Sequence, residues 1–295
     1  MLLRTIVFCL PVMLAAAVPS TAVGQDDLRW KFQSGETLKY QVQQKMQTEM
    51  SVGGQKINTN MQQSMDMSWK VADVSPTGMA SVSQTVDRVQ MKMEGGPFGS
   101  LQFDTSSSEV PTNPIVKAMS EVFRKIVGQE FRMTMNPTGK VEKVEVPAQL
   151  LQALNSAGAS NALNEDTLKQ MMEQSSVLLP ATAVTAGQSW ESSQQIQLPF
   201  GEMKVASLMT YAGRDASTGM ARINMKPTIT VSPKEGSPLQ LTMKKSEGTG
   251  QVLFDPAKGR IVRSDLDLTL VMQVSQQGQV IDQVVQQKTS MVLAQ

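Results

Sequence analysis

Methionine is the residue whose abundance and spacing could do chemistry here: the chain of 295 residues holds 22 of them. Met-x-Met occurs at Met65/Met67, Met91/Met93 and Met133/Met135. In a β-strand, residues i and i+2 share a face, so each pair aims two thioethers the same way. Soft sulfur ligands select Cu(I), and a copper site is the sharp reading of that pattern. The plain reading is packing by a flexible apolar side chain. Each pair falls on the apolar phase of its alternation, which favours core or cavity lining over copper. A third reading is a Met-rich, aromatic-poor concave surface that repacks around varied apolar partners. On that reading the candidate lining residues are Met65, Met67, Trp69, Phe123, Met133, Met135 and Met209.

Other chemistry lacks its parts. The chain has no histidine and one cysteine, Cys9. General acid–base and nucleophilic sites rely most often on His or Cys. The sequence contains no Gly-x-Ser-x-Gly elbow, no Ser-x-x-Lys spacing, no P-loop and no Gly-x-Gly-x-x-Gly fingerprint. The usual zinc ligands are missing. Asp265 and Asp267 lie two apart in an alternating run and read as the wet side of a strand rather than a calcium loop. A carboxylate pair acting on a glycan would want an aromatic-lined cleft, and aromatics make up only 4% of residues. The expectation is a protein that is not an enzyme and holds no cofactor or metal.

The N-terminus reads as a secretory signal. Arg4 supplies the positive region, Thr5 to Val18 is apolar, and Ala22-Val23-Gly24 offers small residues for cleavage before Gln25. The apolar stretch is too short and wrongly flanked for a stable membrane span. Phe8 stands where a lipoprotein signal would need a small residue, so Cys9 reads as part of the signal. Without Arg4, basic and acidic side chains balance at 26 each. No basic stripe appears, and nucleic-acid binding needs several phosphate-neutralising cations. No later segment is long and apolar enough to span a bilayer as a helix. These features place the mature chain in the periplasm or outside the cell.

Period-two alternation dominates the rest. From Leu38 to Met50 the even positions are mostly apolar, and the odd ones are Lys, Gln or Glu. Ile57 to Val71 alternates again. In the next run Val82 and Val86 give way to Val89, Met91 and Met93, a phase change that marks a bulge near Asp87 and Arg88. Thr112 to Gly128 breaks the pattern: Pro114 suits a first helical position, and Ile115, Met119, Val122, Phe123 and Ile126 share one face. Pro147 to Ser176 is helical in character, with candidates at Ala148–Ala157 and Asn164–Ser176. Strands then resume to the C-terminus. Pro227 inside its run hints at an edge or a bulge.

Short stretches recur in the same order. Gly35-Glu36-Thr37-Leu38 is echoed by Gly187-Gln188-Ser189-Trp190, and Thr77-Gly78-Met79-Ala80 by Thr218-Gly219-Met220-Ala221. Met135-Asn136-Pro137-Thr138-Gly139 is echoed by the stretch from Phe254 to Gly259. The expected layout is a signal over 1–24, a β half over 25–147 with an inserted helix at 112–128, a helical connector over 148–186, and a second β half over 187–295. The fold class is mainly β with inserted α: a curved antiparallel sheet or half-barrel, open to reading as two duplicated halves, with helices on its concave face.

Gly35 to Tyr40 and Pro180 to Trp190 look like stretches of uncharacterised exported bacterial families, which imply no function. The ordering as a whole resembles the outer-membrane lipoprotein carrier and its receptor, a half-barrel crossed by helices. That resemblance implies a fold and no site residues. It suits a non-enzymatic envelope protein that binds a hydrophobic ligand or an envelope protein segment in a groove between sheet and helices. The rival is a scaffolding protein whose interior is filled by its own side chains.

Overall fold

The computed structural model describes residues 24–294 except 97–98, 110, 112, 149, 153–164, 166–168, 170–171, 173–176, 199–200, 238 and 277–278. The expected signal lies outside them apart from Gly24, and so does most of the second expected helix. The strands are β1 (Thr37–Val52), β2 (Gln55–Val74), β3 (Ala80–Gly95), β4 (Ser100–Asp104), β5 (Glu130–Met135) and β6 (Val141–Glu145), then β7 (Ser189–Leu198), β8 (Gly201–Arg214), β9 (Ala221–Pro233), β10 (Leu239–Asp255), β11 (Arg260–Gln276) and β12 (Gln279–Leu293). The helix α1 (Pro114–Ile126) sits between β4 and β5.

All twelve strands form one antiparallel sheet, in the order β6-β5-β3-β2-β1-β12-β11-β10-β9-β8-β7, with β4 beside the far end of β3. The first and last strands pair at its centre, from Tyr40↔Leu293 to Val52↔Ile281. The two sequence halves are therefore one continuous sheet, left open between β6 and β7. The bulge expected near Asp87 is present: Asp66 pairs with Arg88 and Met67 with Val86, leaving Asp87 unopposed. Pro227 does not lie on an edge strand or at a bulge as expected: β9 sits between β8 and β10, and Pro227 pairs with Ser207 in an unbroken stretch. The β9–β10 ladder runs from Ala221↔Phe254 to Met225↔Gly250 and stops there. Beyond it Pro227 has no N–H to give, and the Ser246 hydroxyl accepts from the Ile229 N–H (2.8 Å).

One end of the curved sheet is packed solid. Leu38, Tyr40, Trp69, Val71, Val82, Met135, Tyr211, Ile223, Phe254 and Ile261 share a single buried cluster there. The segment from Asp26 to Phe32 runs across this end and closes it. Its backbone bonds the β5–β6 turn (Trp30 N–H to Pro137 O, 2.8 Å) and the β10–β11 turn (Lys31 N–H to Gly259 O, 2.9 Å). Trp30 stacks on Phe32 (5.4 Å) and meets Trp69 and Phe254 at 5.9 and 6.1 Å. Gly259 makes this crossing feasible: its φ is +62°, and a Cβ there would lie 2.4 Å from the Lys31 nitrogen.

Two of the recurring pairs lie at turns that enter strands, with closing bonds that are similar at one and differ by a residue at the other. Gly35 N–H bonds Val71 O before β1, and Gly187 N–H bonds Tyr211 O before β7. Gln33 N–H bonds the Glu36 carboxylate, and Thr185 N–H bonds the Gln188 amide oxygen, at 2.8 and 2.7 Å. Ser75 N–H bonds Met79 O ahead of β3, and Asp215 N–H bonds Met220 O ahead of β9.

α1 starts at Pro114 as expected, with the Asn113 carbonyl accepting from Lys117 N–H, and it stops before Gly128 (φ +79°). Val116 is almost fully buried, and Phe123 meets Phe103 of β4 at 5.4 Å. Val122 and Ile126 pack toward Phe131 and Leu150. In the connector, Leu150 is buried within a helical stretch that begins at Ala148.

Candidate ligand-binding face

The register fixes which side chains share the concave side. Starting from the buried pair Leu38↔Trp69, the inward row on β1 is Val42, Gln44, Met46, Thr48, Met50 and Val52. Opposite them on β2 stand Met65, Gln63, Met61, Thr59, Ile57 and Gln55. On β12 the matching positions are Met291, Thr289, Gln287, Val285, Gln283 and Ile281. β11 continues the face with Leu266, Leu268, Leu270, Met272 and Val274, and β9 with Met225, Pro227, Ile229 and Val231. No inward position of these strands carries Asp, Glu, Lys or Arg. The positions between them hold the charges: Lys39, Lys45 and Glu49 on β1, Lys56, Asp66 and Lys70 on β2, Arg263, Asp265 and Asp267 on β11. A membrane barrel arranges its faces the other way, with the apolar band outward.

Burial along this face changes from one end to the other. Tyr40, Val71 and Ile223 are at most 1% exposed at the plugged end. Further along the same strands Met46, Met50, Ile57, Met61, Leu270, Met272 and Val274 are only half-buried. The curl that shapes this stretch depends on Gly248 of β10. A Cβ there would lie 2.4 Å from Pro227 Cγ and 3.2 Å from Leu268 Cδ1, so the missing side chain lets β9 and β11 lean over β10. Eight strands give a barrel that side chains can fill; this open sheet has twelve, and among the described residues one end of its concave side is packed.

The residues singled out from sequence lie mostly in the packed end. Met67, Trp69, Met133, Met135 and Met209 are buried in the main cluster, and Met65 packs on its border. These positions belong to the packed end of the sheet. Phe123 lies on α1 against Phe103. The half-exposed apolar positions are other members of the same alternation. The signal that could have separated them was polar interruption: Gln44, Thr48, Thr59 and Gln63 break the inward rows only beyond the plugged end.

The carboxylates whose acidity is shifted are each tied into a structural contact. Arg88 beside Asp104 holds that carboxyl well below its usual range, at 3.0 Å from Nε to Oδ1. The Ser217 hydroxyl and the backbone N–H groups of Thr218 and Ser217 hold Asp215 down to about 2. Burial pushes the Tyr211 phenol up to about 12, helped by its hydrogen bond to Asp26. Strongly acidic, ion-paired carboxylates are poor proton carriers at neutral pH. Among the described residues no three Asp or Glu side chains converge as a metal site would need. A groove of about 830 Å³ crosses β1 to β4; Gln44, Gln63, Met91 and Phe103 line it together with the charged Lys45, Lys92 and Asp104.

The model of DUF6263, a family of unknown function, matches residues 77–261, from the turn ahead of β3 to the start of β11. The chain belongs to that family. No curated protein matches this DUF6263 chain. Among solved structures it is similar to one concerned with lipid–protein interactions in lipovitellin, with a TM-score of 0.51 and 10% identity over 90% of this chain. The DUF6263 chain spans only 26% of the lipovitellin chain, and at that identity the likeness is one of fold alone. An outer-membrane channel from Pseudomonas putida F1 aligns over 91% of this chain and 98% of its own at 7% identity, with a TM-score of 0.27. A DUF1329 family protein from Desulfovibrio piger aligns over 84% and 83% at 10% identity, with a TM-score of 0.17. Neither score carries an argument.

Proposed function

We propose that this DUF6263 protein is a non-enzymatic component of the bacterial envelope, exported by its N-terminal signal, that holds an apolar ligand against the open part of its concave face. The observation behind the reading is the uncharged, methionine-rich inward surface, much of which stays half-exposed around the buried Thr48, Leu268 and Val285, while the strands turn their charges outward. Half-exposed apolar side chains in a row gain from a cover, and methionine repacks around varied partners. The lipovitellin-like fold supports it at the level of architecture. The space under α1 favours the scaffolding alternative locally: only about 10 Å³ remains between Met91, Met93, Leu101, Phe103, Val116 and Met119. α1 is thus a packed element, and the ligand belongs on the sheet beyond it.

The test uses N-phenyl-1-naphthylamine, an apolar fluorophore, with the mature chain. Its emission is expected to rise on binding. Met46→Glu, on the inward row, is expected to abolish the rise, whereas Lys45→Glu, the outward neighbour, leaves it intact. No rise with the unaltered protein would leave the scaffold reading standing.

A further inference from the structure

The inward face has a second property that bears on ligand class. Uncharged polar groups are interspersed along the open stretch, among them Gln44, Gln63, Thr289 and Gln287. Gln44 of β1 is directly opposite Gln63 of β2 and Thr289 of β12. Gln287 of β12, one inward step further out, donates to the Thr289 hydroxyl at 3.0 Å. Gln44 and Gln63 are half-buried, and neither is among the buried side chains with an unsatisfied polar atom, so their amides face solvent. A ligand that covers such an amide gains by pairing with it.

Resting on the ligand-binding reading, we propose that the occupant is a neutral, ester- or hydroxyl-bearing lipid, whose oxygens meet the amides of Gln44, Gln63 and Gln287 while its chains lie over Met46, Met61 and Met272. Two physical reasons carry this. An ionised carboxylate or phosphate laid on the face would find no Lys or Arg among the inward positions, and burying an unpaired charge is strongly unfavourable. A pure hydrocarbon would cover the methionines but leave those amides unpaired, which also costs. A lipid that is uncharged yet carries hydrogen-bond acceptors and donors meets both conditions. The inward row from Gln44 to Val52 runs about 26 Å at the usual strand rise, room for an extended acyl chain.

Displacement of N-phenyl-1-naphthylamine from the mature protein distinguishes the classes. Dioleoylglycerol is expected to displace the fluorophore at concentrations at least about ten-fold lower than dioleoyl-phosphatidylglycerol or squalene, because only the first avoids both an unpaired charge and unpaired amides. Gln63→Glu is expected to weaken dioleoylglycerol by a similar factor, and Gln62→Glu, its outward neighbour, to leave it unchanged. Gln44→Leu combined with Gln63→Leu, with its fold checked by circular dichroism, is expected to erase the preference over squalene. Equal displacement by dioleoylglycerol and phosphatidylglycerol would overturn the neutral-lipid inference and leave a general apolar carrier. Failure of the fluorophore to bind at all would overturn the carrier reading and this inference with it.

Discussion

A thioether on the inward side of a strand meets one of two environments in this molecule. Met133 on β5 is 5% exposed and touches the main core; Met46 on β1 is half-buried on the open face. Both sit on the apolar phase of a period-two pattern, so the pattern alone gives them the same status. Same-strand Met-x-Met pairs drew attention in the sequence, yet the half-exposed face owes more to pairs across strands: Met46 opposite Met61, Met61 opposite Met93, Met243 opposite Met272. Cross-strand partners depend on register, which one strand's sequence does not state. Truncation should separate the two environments. Met133→Ala is expected to cost roughly 2–5 kcal/mol, the range for a buried side chain that leaves a cavity, read from the urea midpoint at unchanged slope. Met46→Ala is expected to cost clearly less, since solvent already reaches its surroundings; equal costs would mean that the open stretch is as tightly filled as the plugged end.

At the scale of elements, the segment from Asp26 to Phe32 decides that one end is closed, and it contains no periodic run long enough to announce itself. Its anchor is polar. Tyr211 of β8 donates to Asp26, and Arg214 donates to the same carboxylate through Nε at 2.8 Å. Burial alone would raise the Asp26 pKa, but the Arg214 guanidinium and the Tyr211 hydroxyl outweigh it and hold the carboxyl below its usual range. A carboxylate depressed in the folded state contributes stability above its unfolded value near 3.8, and that contribution is lost as pH falls through the folded value. Lowering the pH from about 6 to about 3 is therefore expected to cost the unaltered protein more stability than Asp26→Asn, measured as urea midpoints at both pH values. A parallel loss in the two proteins would show that the anchor is not the acid-sensitive contact. α1, by contrast, was legible: Pro114 at its start, Gly128 past its end and an apolar stripe between them are local signals. What the stripe packs on is near it in the chain too: β4 comes just before it and pairs with β3 as a hairpin, and Phe131 of β5 follows it.

For the molecule as a whole, the central pairing of β1 with β12 makes two sequence halves into one sheet, and the break in the β9–β10 ladder leaves a seam in it. Backbone amides of β9 and β10 that face each other beyond Gly250 are expected to exchange with deuterium much faster than those in the β10–β11 ladder, which continues to Leu239↔Gln276. Uniform protection on both sides of β10 would show the seam to be closed in solution. The sequence by itself determined that the chain is mainly β, where the helix and the bulge fall, and that charges and apolar groups occupy opposite faces. Those features follow from periods of two and 3.6 residues and from Gly and Pro, which act on neighbours along the chain. Only the tertiary structure decided which end of the sheet is solid and which inward residues stay half-exposed. Both depend on contacts between segments more than a hundred residues apart, such as Asp26 with Tyr211 and Lys31 with Gly259, whose partners no local pattern encodes.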